Sequence, residues 1–333
     1  MKKTLAILLA LILALVNVAA LAEDTEEAID TSTWVSDEVT FTGKGSFIKT
    51  YEGSTILPTE TLAFVSTPDE GNPDTTNLTI DGYAATAATG YLTVTVPSYS
   101  KVGIYKYTIA ETAGTSQGVE YSTESVGLTV LVTYNYDEQK LDTQVGITKN
   151  DEGKKEDTFT NTYTMNDLTV SKTVAGNMGD QSQLFDITVT LTSETGKTVN
   201  SAITITGSSD TASNQTVAGG WTGEKVLNLK IKHGDTIKLA NIPTGVSYAV
   251  AENEEKHGAD DPNYSDGSKG YDITYSGEEG KIAAEGTFEA TITNTKNVEI
   301  DTGVTVESVP YIMILAVVMI GAALLVLRKR EEY

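Results

Sequence analysis

The chain has 333 residues, of which 46 are acidic and 23 are basic, giving a formal net charge of −23. Such an acidic surface disfavours nucleic acid and anionic lipid as partners. There is no cysteine and there are only two histidines. Disulfide scaffolds are therefore excluded, and the usual thiol and imidazole chemistry of enzymes and metal sites is scarce. We expect no cofactor, no metal site and no enzymatic turnover.

The N-terminus predicts a secretory signal peptide over residues 1–22. Two lysines precede an apolar run from Leu5 to about Val18, and the small-residue string Ala20-Leu21-Ala22 follows. This order of charged, apolar and small residues is typical of a cleavable export signal. A retained anchor helix would need a longer apolar core. The mature chain should therefore begin near Glu23 and be exported.

The central part of the chain reads as many short strands. Runs such as Tyr91–Val96, Val126–Tyr134 and Leu184–Leu191 alternate apolar and polar residues and are bounded by Gly, Asp, Asn and Pro. Period-two runs between turn residues are typical of half-buried strands. We predict an all-β chain with two tandem immunoglobulin-like β-sandwich domains, over residues 23–165 and 166–298.

An internal repeat supports the two-domain division. Three short strings occur twice in the same order: Phe47–Thr50 and Val170–Thr173, Tyr107–Glu111 and Tyr248–Glu252, Thr158–Thr162 and Thr291–Thr295. Each copy supplies a Lys, a Glu and an Asn, in that order. The link from Asn161 to Lys172 is short, so the domains should stack as a stiff rod.

These repeated polar residues should face the cores. Side chains two positions apart on a strand share a face, and the neighbours at that spacing are apolar around all six residues: Lys49, Glu111, Asn161, Lys172, Glu252 and Asn294. Burial lowers the pKa of an amine and raises that of a carboxyl group, so both can be neutral. A neutral amine could attack the asparagine amide while the glutamic acid shuttles a proton, forming a Lys–Asn isopeptide bond and expelling ammonia.

Two other interpretations of the repeat stay open at this point. The six residues could be ordinary strand residues, since Lys, Glu and Asn are common, although two copies in one order disfavour this. They could also form buried salt bridges without a covalent bond. An intact mass lower by one ammonia per domain would distinguish the bond from both alternatives.

The pattern resembles the isopeptide-containing domains of streptococcal backbone pilins, which are of the collagen-adhesin B type. There, a lysine on the first strand joins an asparagine on the last strand beside a glutamate on a middle strand. The string ending at Thr112 is also similar to the pilin E-box. The resemblance implies cross-links from Lys49 to Asn161 with catalytic Glu111, and from Lys172 to Asn294 with catalytic Glu252.

In the most similar pilin subfamily, the lysine that links one subunit to the next lies just before the last strand of the first domain. Lys154, with Lys155 beside it, occupies that place. No Tyr-Pro-Lys-Asn pilin motif is present. The alternative is a solvated lysine pair in a turn.

The C-terminal residues 299–333 resemble a sortase sorting signal. Thr302 and Gly303 precede an apolar segment, residues 310–327, and a basic cluster, Arg328-Lys329-Arg330. This order predicts a membrane helix with a cytoplasmic tail. A sortase would cleave between Thr302 and Gly303, although the proline of the family motif is absent. The similar string Ile242–Gly245 lacks a following span and is interpreted as a type II turn.

Together these features predict the structural subunit of a sortase-assembled surface pilus. The expected partners are a sortase, neighbouring pilin subunits, and peptidoglycan or a basal pilin, with no nucleic acid. The precursor should be held transiently in the membrane and end at the cell surface or wall. The alternative is a single wall-anchored adhesin or minor pilin that binds a host surface ligand.

Overall fold

The computed structural model describes residues 29–148, 157–254, 270–297 and 309–331. Strands dominate these ranges, so the predicted all-β class is confirmed. The predicted signal peptide over residues 1–22, Lys154 with Lys155, and Thr302 with Gly303 lie outside the described residues. Their assignments therefore stay predictions.

The described part of the N-terminal unit has twelve strands. They are β1 Val39–Phe41, β2 Ile48–Glu52, β3 Thr61–Pro68, β4 Thr79–Ile80, β5 Tyr83–Ala84, β6 Thr89–Tyr91, β7 Val94–Val96, β8 Gly103–Thr112, β9 Val119–Glu120, β10 Ser125–Asn135, β11 Lys140–Ile147 and β12 Thr158–Tyr163. Their sheets have the orders β11-β10-β8-β3-β5, β6-β2-β12-β9 and β1-β7-β4. The two larger sheets carry Lys49, Glu111 and Asn161.

Among the residues described in the C-terminal unit there are ten strands. They are β13 Met165–Ala175, β14 Leu184–Thr192, β15 Ile203–Thr206, β16 Thr216–Val217, β17 Glu224–Lys232, β18 Thr236–Pro243, β19 Ser247–Glu252, β20 Asp272–Ser276, β21 Glu279–Lys281 and β22 Phe288–Thr295. A six-stranded sheet has the order β16-β15-β18-β13-β22-β20, and a four-stranded sheet has the order β17-β14-β19-β21.

Each unit has its own hydrophobic core. The first core runs from Trp34 to Tyr163, and the second from Leu168 to Ile292. Alternation builds them: on β10 every second residue from Val126 to Val132 is buried, and the residues between are only partly so. The buried aliphatic and aromatic side chains supply the main driving force for folding of each unit.

In both units the first long strand pairs in parallel with the last one. Strand β2 lies beside β12, and β13 lies beside β22. Antiparallel neighbours can be joined by a tight turn, but a parallel pair needs a long connection. The rest of each unit supplies it, so residues far apart in sequence become neighbours.

One predicted strand is divided in the structure. Residues Tyr91–Val96 were predicted as a single run, and burial does alternate through Leu92, Val94 and Val96. However, β6 pairs with β2, whereas β7 pairs with β1 and β4 in another sheet. The chain crosses between sheets at Leu92–Thr93, because a strand can turn a corner while its alternate residues still face one core.

A turn does follow Ile242, but it comprises Pro243–Val246 and so lies one residue further along than the predicted string. The N–H of Val246 donates to the carbonyl of Pro243, and Gly245 has a φ of 87°. A positive φ at the third turn residue is what a type II turn requires.

A helix, α1, spans Val309–Glu331 and covers the apolar segment 310–327. Within the ranges that the structure describes, no helix meets the combined length and apolarity needed to cross a membrane.

Candidate functional site

The strand register brings the lysine and asparagine of each repeat together. Lys49 lies opposite Phe159, two residues before Asn161, and Lys172 lies opposite Ile292, two residues before Asn294. Because residues two apart on a strand share a face, each lysine and its asparagine point into the same core. The offset is identical in the two units.

The glutamate of each repeat comes from another sheet of the same unit. Glu111 lies on β8, opposite Phe64 on β3, and Glu252 ends β19, opposite Ile187 on β14. Each carboxyl group reaches across the core to the lysine and asparagine. Three residues from three strands therefore meet in each unit, and we call these groups the N-terminal triad and the C-terminal triad.

In the N-terminal triad, Glu111 contacts both partners with its two oxygens. Lys49 Nζ lies 2.8 Å from Glu111 Oε2, and the Asn161 amide donates from Nδ2 to Glu111 Oε1 at 2.7 Å. The contact of Nζ with Oε2 lacks the angles of a hydrogen bond, and Nζ donates instead to the Phe159 carbonyl at 3.2 Å. Asn161 Oδ1 accepts a hydrogen bond from the N–H of Ser122 at 2.8 Å.

In the C-terminal triad, the lysine contacts both other members directly. Lys172 Nζ donates to Glu252 Oε2 at 2.5 Å and also to Asn294 Oδ1. Asn294 Nδ2 donates to Glu252 Oε1 at 2.7 Å, as in the other triad. The Phe185 ring lies below the amine, with Nζ 4.4 Å from its centroid, which is a cation–π distance.

Both triads are sealed from solvent. The side chains of Lys49, Glu111, Lys172 and Glu252 are 0% exposed, and so are the residues Asn161 and Asn294. Burial lowers the pKa of Lys49 and of Lys172, while the neighbouring Glu111 and Glu252 respectively oppose this shift. A lysine with a lowered pKa loses its proton more readily, and the neutral amine is a nucleophile.

Two residues that contact the N-terminal triad were not identified from the sequence. Tyr51 pairs in register with Asn161, and Lys49 Nζ lies 5.1 Å from its ring. The period-two spacing from Lys49 could have identified Tyr51. Ser122 follows β9, and its backbone contact with Asn161 depends on the loop conformation, for which the sequence gives no signal.

His233 is partly buried and accepts a hydrogen bond at Nδ1 from the Val174 N–H, at 2.9 Å. The turn between β17 and β18 places the ring beside β13. Within the described ranges, no group of three or more His, Cys, Asp or Glu residues is arranged to hold a metal ion.

Comparisons with known proteins agree with the two-unit organisation. Residues 46–164 match the family model of the Spy0128-like isopeptide containing domain, and residues 166–296 match a domain of unknown function, DUF7601. A curated pilin from Streptococcus pyogenes serotype M1 is 29% identical over 241 residues, which cover 70% of this chain and 69% of the relative.

Solved structures are also similar. The major pilin from Streptococcus pyogenes has 23% identity and a TM-score of 0.45, covering 78% of this chain and 99% of that one. A second major pilin protein from Streptococcus pyogenes has 20% identity and a TM-score of 0.48, covering 79% of this chain and 100% of that one. Both TM-scores are below 0.5, so the assignment depends on the sequence matches. These sequence matches support a relationship of this chain to Gram-positive backbone pilins, with the isopeptide containing domain matched over residues 46–164.

Proposed function

We propose that this chain is the structural subunit of a sortase-assembled surface pilus, in which each β unit is braced by an autocatalytic Lys–Asn isopeptide bond. The observation that carries the proposal is the same in both units. A glutamate whose side chain is fully buried contacts a lysine amine with one oxygen and an asparagine amide nitrogen with the other.

The chemistry follows from that bridging position. The lysine ammonium passes one proton to the adjacent glutamate, and the free Nζ lone pair attacks Cγ of the asparagine. A C–N bond forms as the carbonyl π electrons move to Oδ1. The proton held by the glutamate and one from Nζ then reach Nδ2, the Cγ–Nδ2 bond breaks, and ammonium leaves. The reaction turns over once and needs no cofactor.

Proximity supplies most of the acceleration. The strands hold the amine, the carboxyl group and the amide before the reaction begins, and effective molarities in such oriented systems reach about 10⁵–10⁸ M. Exclusion of water strengthens each charge–dipole contact inside the core. The folded unit therefore makes its own cross-link.

The test is the intact mass of the purified mature chain. We expect a mass lower than that of the sequence by one ammonia per bond, hence two in the wild-type chain. Glu111→Ala should restore one ammonia, Glu252→Ala the other, and the pair both. Glu120→Ala, which alters an exposed glutamate on β9, is the matched control and should leave the mass deficit unchanged. A wild-type mass equal to that of the unmodified sequence would sink the cross-link proposal.

We also propose that each unit is an immunoglobulin-like sandwich of the collagen-adhesin B type. The parallel pairing of the first long strand with the last supports it, because a cross-link there joins both ends of the unit. Residues 23–165 and 166–298 are the corresponding proposed domains, and a load applied along the chain would pass through the two bonds.

For assembly, the signal peptide 1–22 exports the precursor and segment 310–327 holds it in the membrane. The sortase cysteine attacks the Thr302 carbonyl, the Thr302–Gly303 bond breaks, and the resulting acyl-enzyme is resolved by Lys154 or Lys155 of a neighbouring subunit. The last subunit is transferred to peptidoglycan or a basal pilin. The similarity to a streptococcal pilin supports a role as a pilus subunit.

Co-expression with a pilus-class sortase tests the assembly step. We expect a ladder of multimers that resist SDS, lost in Thr302→Ala and in the double variant Lys154→Ala with Lys155→Ala. The two single variants then show which lysine is the acceptor. A single band attached only to peptidoglycan would instead favour the wall-anchored adhesin. That alternative has one supporting observation: Tyr134 and Tyr136, at the β10–β11 turn, are exposed and pack around Trp34.

A further inference from the structure

Glu60 lies outside the N-terminal triad, immediately before β3, and is held by three hydroxyl groups. Tyr51 donates to Glu60 Oε1 at 2.5 Å, and Tyr121 and Ser116 each donate to Oε2 at 2.7 Å. Hydrogen bonds to a carboxylate are stronger than those between neutral groups, so three donors fix both oxygens. The absence of a side chain at Gly114 provides the space for these contacts, since a Cβ there would lie 2.6 Å from Tyr121 Oη and 2.9 Å from Glu60 Oε2.

Two of these donors lead directly to the triad. Tyr51 is the cross-strand neighbour of Asn161, and its ring lies beside the Lys49 amine. Tyr121 immediately precedes Ser122, whose N–H donates to Asn161 Oδ1 at 2.8 Å. Glu60 therefore holds, from one point, the side chain beside Asn161 and the loop that binds its carbonyl oxygen.

The third donor leads to the C-terminal unit. Asn200 donates from Nδ2 to Ser116 Oγ at 2.7 Å, and its carbonyl accepts from the N–H of Thr59 at 3.2 Å. Asn200 thus contacts the residue that precedes Glu60 and also a hydroxyl that binds Glu60. Both contacts form only when the two units are docked.

We propose that Glu60 is a positioning residue for formation of the Lys49–Asn161 bond, and that docking of the C-terminal unit through Asn200 completes its arrangement. This inference depends on the proposed isopeptide chemistry. It adds that the N-terminal bond is assembled with help from the other unit, whereas the C-terminal bond is not.

The reaction gives a reason for this arrangement. Oδ1 of Asn161 gains negative charge as Nζ attacks Cγ, and the Ser122 N–H is already directed at that oxygen. A displacement of about 1 Å in a reacting group can reduce a rate by roughly 100-fold. Glu60 prevents such a displacement by fixing Tyr51 and the Tyr121–Ser122 segment together.

The effect of charge can be separated from the effect of position. The charged groups acting on Lys49 are Glu111 and Glu60, and both oppose the lowering of its pKa by burial. If Glu60 acted mainly through charge, its neutralisation would help the reaction by freeing the amine. If Glu60 acts by positioning, its neutralisation should instead lower the maximal rate. The pH–rate profile should still move to lower pH, because Glu60 no longer raises the pKa of Lys49.

The experiment measures both bonds in the same molecules. The full chain is synthesised in a cell-free system, quenched at timed intervals in acid and denaturant, and digested. The two cross-linked peptides are then quantified by mass spectrometry between pH 6 and 10. The variants are Glu60→Gln, Tyr51→Phe and Asn200→Ala. Glu120→Gln and Tyr134→Phe are matched controls, and the C-terminal bond reports folding of the same chain.

For Glu60→Gln we expect the maximal rate of the N-terminal bond to fall roughly 10- to 100-fold, with the C-terminal bond unchanged. The rising limb of its pH profile should move to lower pH, which a purely structural defect would not cause. Tyr51→Phe and Asn200→Ala should each slow the N-terminal bond. Combining Glu60→Gln with Tyr51→Phe should add little, because the two residues act as one unit.

An unchanged N-terminal rate in both Glu60→Gln and Tyr51→Phe would overturn the inference, as would equal slowing of the two bonds. If Glu60→Gln does not fold, as judged by loss of the C-terminal bond, Tyr51→Phe alone decides, since it keeps the buried ring. A wild-type chain that forms neither bond would instead refute the proposed function.

Discussion

The two triads share residue types, strand register and burial, but they orient the asparagine amide in different ways. In the N-terminal triad a backbone N–H, that of Ser122, binds Asn161 Oδ1, and Lys49 donates elsewhere. In the C-terminal triad Lys172 itself donates to Asn294 Oδ1. A repeated triad can therefore be preorganised either by its surroundings or by its own nucleophile. The first arrangement depends on loops, and the second on core packing.

The largest expected effect comes from removing either asparagine. Asn161→Ala and Asn294→Ala each abolish one cross-link. Both bonds close loops of about 110–120 residues, so by analogy with a disulfide each should contribute about 4–5 kcal/mol to the free energy of unfolding. Denaturant titration measures the loss, with the exposed Asn228→Ala as control. Similar losses of unfolding free energy in the two variants would mean that the triads differ in how their bonds form and not in how much the bonds stabilise the units. No loss in either variant would contradict the stabilising role of the cross-links.

The shared features of the triads could be predicted from the sequence. Period-two alternation placed Lys49 and Asn161 on an apolar face, and the repeated order of Lys, Glu and Asn suggested that Glu111 and Glu252 approach them. These are properties of strands and of repetition, which the sequence encodes locally.

The differences could not be predicted in this way. Glu60, Ser116 and Tyr121 meet through loops that follow no period, so their contacts depend on the tertiary structure. Alternation has a similar limit at Tyr91–Val96, where it gave the buried residues correctly but not the change of sheet at Leu92–Thr93. Burial patterns report the distance from a core and do not identify the hydrogen-bonding partner.

The pH dependence of bond formation should distinguish the two lysines. Burial lowers the pKa of both lysines, so each amine loses its proton at a pH below 10.5, the ordinary lysine pKa. Below the folded-state pKa, the rate should rise about tenfold per pH unit with the fraction of neutral amine, and above it the rate should level off. Lys49 faces the additional negative charge of Glu60, which raises its pKa. We therefore expect the N-terminal rise at higher pH than the C-terminal rise.

Timed quenching between pH 6 and 11, with both cross-linked peptides quantified, measures this difference. Coincident profiles would show that Glu60 exerts no charge effect on Lys49. Profiles centred at the ordinary lysine value would contradict the lowered pKa in both units.

Phe185→Leu tests the dependence of the C-terminal triad on core packing. The ring lies 4.4 Å from Lys172 Nζ and is fully buried, so leucine removes the cation–π contact and leaves a small void. We expect the maximal rate of the C-terminal bond to fall roughly 5- to 10-fold, because the void lets the amine move from its position beside Asn294, and the N-terminal bond to be unaffected. The lost cation–π contact favours the neutral amine, so the rising limb of the C-terminal pH profile should move to lower pH. Leu191→Ile, elsewhere on β14, is the packing control. Slowing of both bonds by Phe185→Leu would indicate general destabilisation.

The smallest effect, and the most specific, is expected at Gly114. An alanine Cβ there would lie 2.6 Å from Tyr121 Oη and 2.9 Å from Glu60 Oε2, so these side-chain ends must shift. Because the displaced atoms are flexible ends and not backbone, we expect only about 2- to 5-fold slowing of the N-terminal bond. Gly196→Ala, with open space around its Cβ, is the control for an added methyl group, although its positive φ adds backbone strain. If Gly114→Ala slowed the C-terminal bond instead, the Glu60 contacts would have no special relation to the N-terminal triad. If it slowed only the N-terminal bond, a single methyl group outside the triad would change the rate of one bond and not of the other, although both bonds form from the same three residue types.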